Sequence, residues 1–551
     1  MKDRLTDFST RFPWIIILVS VAITAFFAMQ LPKMKIDTDP ENMLEADEPV
    51  RIFDHQVKEE FGLYDFIAVG VVSEQSVFTK DQLDRIYKIT EEIAKIDGVI
   101  EDDILAPSLV DDIRQGDGGS IVIEPLMNGA PESEEKAKYI LSRIKDNPIL
   151  RGKLASDDGQ AIALFIPIES KDMSHRIAGE IKEITDKYGA GETYHIAGLP
   201  VAEDSFGAEM FSQMALSAPL AALIIMLLML LFFRQLTIVL SPMIVAVMSV
   251  IWTMGLLILT GNTVHIMSSM IPIFLIPIAV LNSIHIISEF HDRYKKHKHK
   301  VATIKHSISE LFVPMLFTSL TTIVGFLSLA LTPIPPVRVF GIFVAIGIGF
   351  AWILSLTFNP AFAVLISDKS LRNFGAAEDK SGLLSRVLSS IRRFSSRRAK
   401  PILFTTGLVV VASAIGLSMI KVNDNPVRWF KASHPLRIAD HELNQHLAGT
   451  YMNYLVVDAG EDDGLKNPEL LAWIEGLQRH LEKNRIVGAT TGLPDVVKKV
   501  RYELFGAKPE YNSLPTNQDE VAQDLFIFEM AGGDPDDLFK FVTSDYVKAN
   551  V

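Results

Sequence analysis

The sequence predicts a polytopic α-helical membrane protein with α/β extracytoplasmic domains and a parallel internal repeat. Seven transmembrane helices are expected within it, out of twelve in the full repeat. Three observations predict this. Apolar runs at roughly 14–31, 213–233, 237–259, 266–289, 311–331, 339–366 and 401–420 are each long enough to cross about 30 Å of hydrocarbon as a helix. The stretch between the first two runs alternates strand-like and helix-like patterns. Finally, the residues after the first run recur after the seventh.

The charge distribution sets the expected orientation. The chain carries a net charge of −14 and no cysteine, so disulfides and thiolate metal sites are excluded. Lys2, Arg4 and Arg11 precede the first run, residues 291–310 are rich in lysine, and 367–400 contains Arg392, Arg393, Arg397, Arg398 and Lys400. Basic segments flanking spans stay on the cytoplasmic side. The expected orientation is therefore a cytoplasmic N-terminus with large periplasmic or extracellular domains. Residues 33–212 hold 38 acidic against 19 basic side chains, which argues against a nucleic-acid partner.

Taken in order, residues 1–31 form the N-terminus and first transmembrane helix, a retained anchor with no small-residue cleavage site behind it. Residues 32–212 form the first extracytoplasmic domain, porter-like in position. Within it, 64–72 and 160–168 read as strands, 81–96 and 174–188 as helices, and 193–200 as strand and turn. A ferredoxin-like arrangement of α/β subdomains is expected, with a cleft for an apolar chain. The Gly, Pro and Asp content of 114–135 predicts an exposed loop.

Residues 213–366 hold helices two to six, with a tight hairpin at Arg234 and reversals at 261–263 and 333–336. Residues 367–400 form a basic cytoplasmic linker. In it, 383–395 places Leu384, Val387, Leu388, Ile391 and Phe394 on one helical face, as a helix lying on a membrane surface would; a solvated linker is the alternative. The seventh span is 401–420, and 421–551 is expected to be a second extracytoplasmic domain, incomplete. Residues 420–440 align with 34–54 without a gap: Lys35/Lys421, Pro40/Pro426, Ala46/Ala432, Pro49/Pro435, Arg51/Arg437 and Asp54/Asp440 are identical. Six spans separate the copies, so both lie on one side, as in parallel transporter repeats. Continued over the second copy, the shift predicts a complete chain of roughly 750–800 residues.

Two of the apolar runs are unusually polar for their depth. The fourth carries Asn282, Ser283, His285, Ser288 and Glu289; the fifth carries Thr318, Ser319, Thr321 and Thr322. Polar groups inside a bilayer cost free energy and mark relays, gates or interhelical bonds. Asn282, His285 and Glu289 recur at three and four residues, so a helix places them along one side. They are candidates for a proton relay or gate, with Ser283 beside them and Thr318, Ser319, Thr321 and Thr322 as the facing polar seam. The alternative is hydrogen bonding between helices. No P-loop, nucleophile elbow or HExxH pattern occurs. The expectation is a transporter rather than an enzyme, with no cofactor, no catalytic residue and no metal; the histidines between 291 and 306 read as a solvated cationic loop.

The segments TSLTTIVGFLSL (318–329), PPVRVFG (335–341) and LNSIHI (281–286), with the pairs Asp39-Pro40 and Asn425-Pro426, resemble the resistance–nodulation–division superfamily. The similarity is to its MMPL-domain branch of hydrophobe and lipid exporters. That resemblance covers essentially the whole chain. It implies an MMPL or sterol-sensing-like bundle over 213–366 and a secondary active exporter of lipids or other hydrophobic molecules driven by proton influx. It also implies an aspartate in the fourth helix, in a segment similar to ADSIH. Asn282 stands at that position, and an amide takes up no proton at useful pH. Coupling would then fall to His285 or to the second half. The expected partners are membrane lipids or hydrophobic small molecules, with a dimer or trimer of the chain and a periplasmic partner left open. A non-transporting lipid-sensing or assembly protein of the same fold is the alternative.

Overall fold

The computed structural model describes residues 2–116, 120–190, 192–297, 299–367, 383–420, 425–531 and 535–551. Two compact units emerge. One contains residues 1–37 and 210–424, the other residues 38–209 and 425–551.

Among the described residues, seven helices are long and apolar enough to cross a membrane. The protein is a multi-pass membrane protein. A short helix α1 (Lys2–Arg11) precedes α2 (Pro13–Ala28), which Pro13 opens, a position where its missing N–H costs nothing. Then come α3 (Leu199–Phe233), α4 (Leu236–Leu259), α5 (Ile271–His297), α6 (Lys300–Leu327) and α7 (Pro335–Leu365). Arg234, between α3 and α4, adopts a left-handed conformation at φ 50°, which lets the chain reverse in two residues. Helix α8 (Leu383–Arg397) leads into α9 (Ala399–Ser418). Val387, Ile391 and Phe394 of α8 are exposed together. The remainder of the expected linker, 368–382, lies outside the described residues, as does Lys421 of the aligned pairs.

Helix α3 starts earlier than its apolar run. At about 1.5 Å per residue, its 35 residues reach roughly 52 Å, well beyond the ~30 Å hydrocarbon core. Its first turns, with Glu203, Asp204 and Glu209, belong to the second unit. Nothing between Leu199 and the apolar run breaks a helix, so 201–212 simply joins the span.

The first unit is built on α4, α5 and α7, each packed against the other two. Helix α6 lies on α5 and α7, and α2 on α4 and α7. A Cβ at Gly255 would sit 2.6 Å from the Phe27 carbonyl oxygen. Only glycine permits α2 to approach α4 that closely, as small residues do at membrane helix interfaces. Trp252 Nε1 donates to Thr24 Oγ1 at 2.9 Å across the same contact. Helix α9, by contrast, is exposed almost throughout.

In the second unit, β1 (Asp65–Val72) runs between β4 (Ala161–Ile168) and β5 (Tyr194–Ala197), antiparallel to both. Val69 pairs with Leu164 on one side and Ile196 on the other. Strands β4 and β5 are joined by the helix Ser174–Tyr188 with β1 between them, a split β-α-β unit. Ile67, Val69 and Val71 face a core built with the helices Lys80–Ile93 and Ser174–Tyr188. Phe66 and Ala68 face the other way, against Ala439 and Leu443 of the helix Pro435–His446. Both faces are therefore covered, which explains a strand that is apolar throughout rather than alternating. At Gly70 an added Cβ would meet Leu443 Cδ2 at 2.5 Å, so this glycine admits the covering helix.

The expected loop 114–135 is different. Strands β2 (Asp111–Gln115) and β3 (Ile121–Pro125) form an antiparallel hairpin with Ile113 opposite Ile123; its turn residues 117–119 lie outside the described residues. Ile113 and Ile121 are buried against Leu471, Val497, Val500 and Leu525. Those partners lie more than 300 positions further along, where local composition gives no sign of them. Strands β6 (Val456–Asp458) and β7 (Lys548–Asn550) close the same core as an antiparallel pair.

Candidate functional site

The polar residues of α5 divide by the geometry of the helix. Ala279, Val280, Asn282, Ser283, Ile286, Ile287 and Phe290 are buried, whereas Leu281, His285 and Ser288 are exposed. At 3.6 residues per turn, the buried residues span an arc with Asn282 at one edge. His285 lies about 60° beyond that edge, away from the bundle. Three- and four-residue spacing puts Asn282 and His285 on neighbouring rows, but packing buries only the first.

Asn282 is 3% exposed and Ser319 4%. The Asn282 Nδ2 donates to Ser319 Oγ at 3.3 Å, linking α5 to α6. The Ser283 and Ser355 hydroxyls form a hydrogen bond 3.1 Å long, in which either can donate, linking α5 to α7. Ser241 Oγ donates to Asn359 Oδ1 at 2.6 Å, linking α4 to α7. The Asn359 Nδ2 has no hydrogen-bond partner among the described residues. It borders a cavity of about 20 Å³, lined by Ser241, Ile286, Phe290 and Asn359 among others, room for one water molecule.

The other hydroxyls of α6 stay within their own helix. Thr318 and Thr321 are exposed and donate to the carbonyls of Pro314 and Phe317, each at 2.9 Å, and Thr322 donates to Thr318 at 2.8 Å. Glu289 bonds Arg293, which reaches on to Glu310 of α6, an ion triad at the end of the two helices. The structure thus brings Asn282, Ser283 and Ser319 into one buried seam. Glu289 is engaged elsewhere; His285, Thr318 and Thr321 turn outward, and Thr322 is half-buried. Ser241, Ser355 and Asn359 join the seam without having been singled out in the sequence. Asn359, an amide inside the apolar run of α7, carried the same signal as Asn282.

Chemically, the seam is neutral. Among the described residues of the first unit, the buried polar side chains are Ser, Thr and Asn, with the indole N–H of Trp252. Such groups bond across helices and orient water, but none accepts a proton near neutral pH.

The buried charges lie in the second unit. Lys171 Nζ bonds Glu41 and lies 3.8 Å from Glu203 Oε2 and 4.0 Å from Asp65 Oδ2. Burial works against the Lys171 ammonium, but Asp65, Glu41 and Glu203 outweigh it and hold the group above the ordinary lysine range. Glu41 moves the other way: burial would raise it, and the bond and charge of Lys171 pull it down. Beside them, Asp204 accepts from Thr38 Oγ1 at 2.7 Å and from the His175 amide at 2.9 Å. This cluster spans residues from 38 to 204, too dispersed to be read as a motif.

The model of the MMPL family matches residues 72–402 of the chain. A protein of Methanocaldococcus jannaschii, described as a membrane protein, is similar at 22% identity over 369 residues, 66% of this chain and 93% of the relative.

Proposed function

We propose, from the premise that this chain belongs to the MMPL family of the resistance–nodulation–division superfamily, that it exports lipids or other hydrophobic molecules from the cytoplasmic membrane by secondary active transport. Proteins of this family are transporters of hydrophobic cargo rather than enzymes. The observation that carries the proposal is the family match across the bundle, together with a buried seam whose three side-chain bonds tie α4, α5, α6 and α7. Exchangeable hydrogen bonds of this kind hold helices in register and still permit a second arrangement, because each lost bond in a membrane costs only about 0.6 kcal/mol on average.

The reading includes a parallel repeat, with the second unit on the outer side. Supporting it, Asp39 caps the turn Pro40–Met43 ahead of the helix Pro49–Glu60, and Asn425 caps Pro426–Trp429 ahead of Pro435–His446. The neutral seam favours one alternative, a lipid-sensing or assembly protein that does not transport. Efflux of a fluorescent lipid from cells making the protein, with and without an uncoupler, separates the two. Uncoupler-sensitive efflux is expected for a proton-driven exporter. Lipid binding without efflux would replace the exporter by the sensor.

A further inference from the structure

Helix α1 is packed inside out by the standards of a soluble protein. Thr6, Ser9 and Thr10 are buried, Thr6 at 5% and Ser9 at 0% exposure, while Leu5, Phe8 and Phe12 are exposed. The buried hydroxyls cost little, since Ser9 donates to the Leu5 carbonyl and Thr10 to the Thr6 carbonyl, both at 2.9 Å. Lys305 Nζ, on α6, holds Asp7 Oδ1 at 2.6 Å, and α1 packs along α7 and α6. An apolar face turned outward on a helix fixed to a membrane bundle is a face turned to lipid.

A groove of about 680 Å³ opens between α1, α2 and α7, lined by Arg4, Leu5, Phe8, Ser9, Ile16 and Thr357. Its volume is that of a small-molecule site, roughly 300–1,000 Å³. Leu5, Phe8 and Ile16 give it an apolar wall. The Thr357 hydroxyl is committed to the Ile353 carbonyl at 2.8 Å, so it asks nothing of an occupant. Arg4 is the charged group in the lining, and among the described residues no carboxylate lines the groove. A guanidinium fork matches phosphate oxygens in a bidentate manner.

We infer that this groove is a binding site for an anionic phospholipid, with an acyl chain along Leu5, Phe8 and Ile16 and the phosphate at Arg4. The anionic headgroup follows from the sign of the lining among the described residues: a zwitterionic lipid would bring its cation to a groove whose described charge is the Arg4 guanidinium. The occupant is a bilayer lipid held at the bundle rather than a transported cargo, so the site stands whether or not the protein exports anything.

The test is lipid titration of the purified full-length chain in detergent, followed by native mass spectrometry, with phosphatidylglycerol and phosphatidylcholine of identical acyl chains. One basic side chain near an anionic headgroup is worth about a fivefold preference. Phosphatidylglycerol is therefore expected to bind about fivefold tighter, and Arg4→Gln to abolish that preference while Lys400→Gln keeps it. Phe8→Ser is expected to weaken both lipids alike. Equal binding of the two lipids by the native chain would overturn the proposal. So would a preference that survives Arg4→Gln, or retention of detergent alone. If Arg4→Gln is recovered unfolded, Arg4→Met serves in its place: it keeps the apolar stem without the charge and is expected to abolish the preference. A preference that survives there would overturn the proposal.

Discussion

Asn282 on α5 and Ser319 on α6 form a buried amide–hydroxyl pair, Nδ2 to Oγ at 3.3 Å. The pair is neutral in every state the bundle can reach. Replacing Asn282 by Asp changes that, because a carboxyl there is enclosed and its partner is only a hydroxyl. Asn282→Asp is expected to make transport more sensitive to uncoupler than the native chain. Asn282→Leu is expected to cost less than about 2 kcal/mol of stability, the upper range for interhelical bonds in membranes. Efflux assays with and without uncoupler check the first, detergent unfolding the second. Identical uncoupler responses in native and Asp proteins would mean that this position does not face the proton path.

His285 is exposed, and the threonines across from α5 direct their hydroxyls to their own helix. His285→Gln is therefore expected to leave the rate and pH profile of transport unchanged. A shifted profile would return the histidine to the relay.

Close helix approach gives a paired test. Gly255→Ala drives a Cβ to 2.6 Å from the Phe27 carbonyl, whereas Gly325 has nothing within 4 Å. The first substitution is expected to destabilise the bundle by about 1–3 kcal/mol, the cost of overpacking. Gly325→Ala is expected to be neutral or up to about 1 kcal/mol stabilising, from helix propensity. Thermal unfolding in detergent reads both, and equal effects would show that α2 yields to the extra methyl.

Arg143 joins distant parts of the second unit. Its guanidinium donates to Asp112 at 2.7 and 3.1 Å and to Glu503 at 3.1 Å. Lys499 meets the same Glu503 at 2.6 Å. Both acids are 2% exposed. Removing Arg143 leaves buried Asp112 with the more distant Arg114, whose Nε stands 4.0 Å away, in place of a direct bond, and Arg143→Ala is expected to cost about 3 kcal/mol, the low end for a broken buried pair. The double change Arg143→Met with Asp112→Leu should recover much of that. Failure of the double variant to gain over the single one would show that shape, not uncompensated charge, sets the penalty.

The pH dependence of the second unit is expected to carry the mark of Asp524. Burial pushes this carboxyl up to about 6, with Arg501 opposing at 3.5 Å and Glu520 adding to the rise. Its folded value exceeds the ordinary ~3.9 of an unfolded chain, so the folded state binds more protons between about pH 4 and 6. Stability from this group is present at low pH and lost as pH rises through that window, by about 3 kcal/mol. Asp524→Asn should flatten the slope of unfolding temperature between pH 4 and 7. An unchanged slope would assign it to other carboxylates.

The spans were legible in the sequence because lipid exposure imposes a rule on every residue in turn: about twenty apolar positions, whatever the neighbours. Strands β1 and β4 and the helices beside them were legible for a similar reason, since their apolar periodicity is local. The ends were not: α3 runs back to Leu199 because nothing local stops it. The hairpin at Ile113 and Ile121 is held by partners near the far end of the chain, and a five-residue strand has too little pattern of its own to announce itself. The sequence identified Asn282, Ser283 and Ser319 as polar residues at membrane depth. Only packing decided that these are buried while His285 and Thr318 face outward, and that Ser241, Ser355 and Asn359 complete the seam. Helical spacing alone leaves open which side of the cylinder meets its neighbours, and adjacent rows of one helix differ by only a few tens of degrees. Which row is buried depends on where the other helices stand.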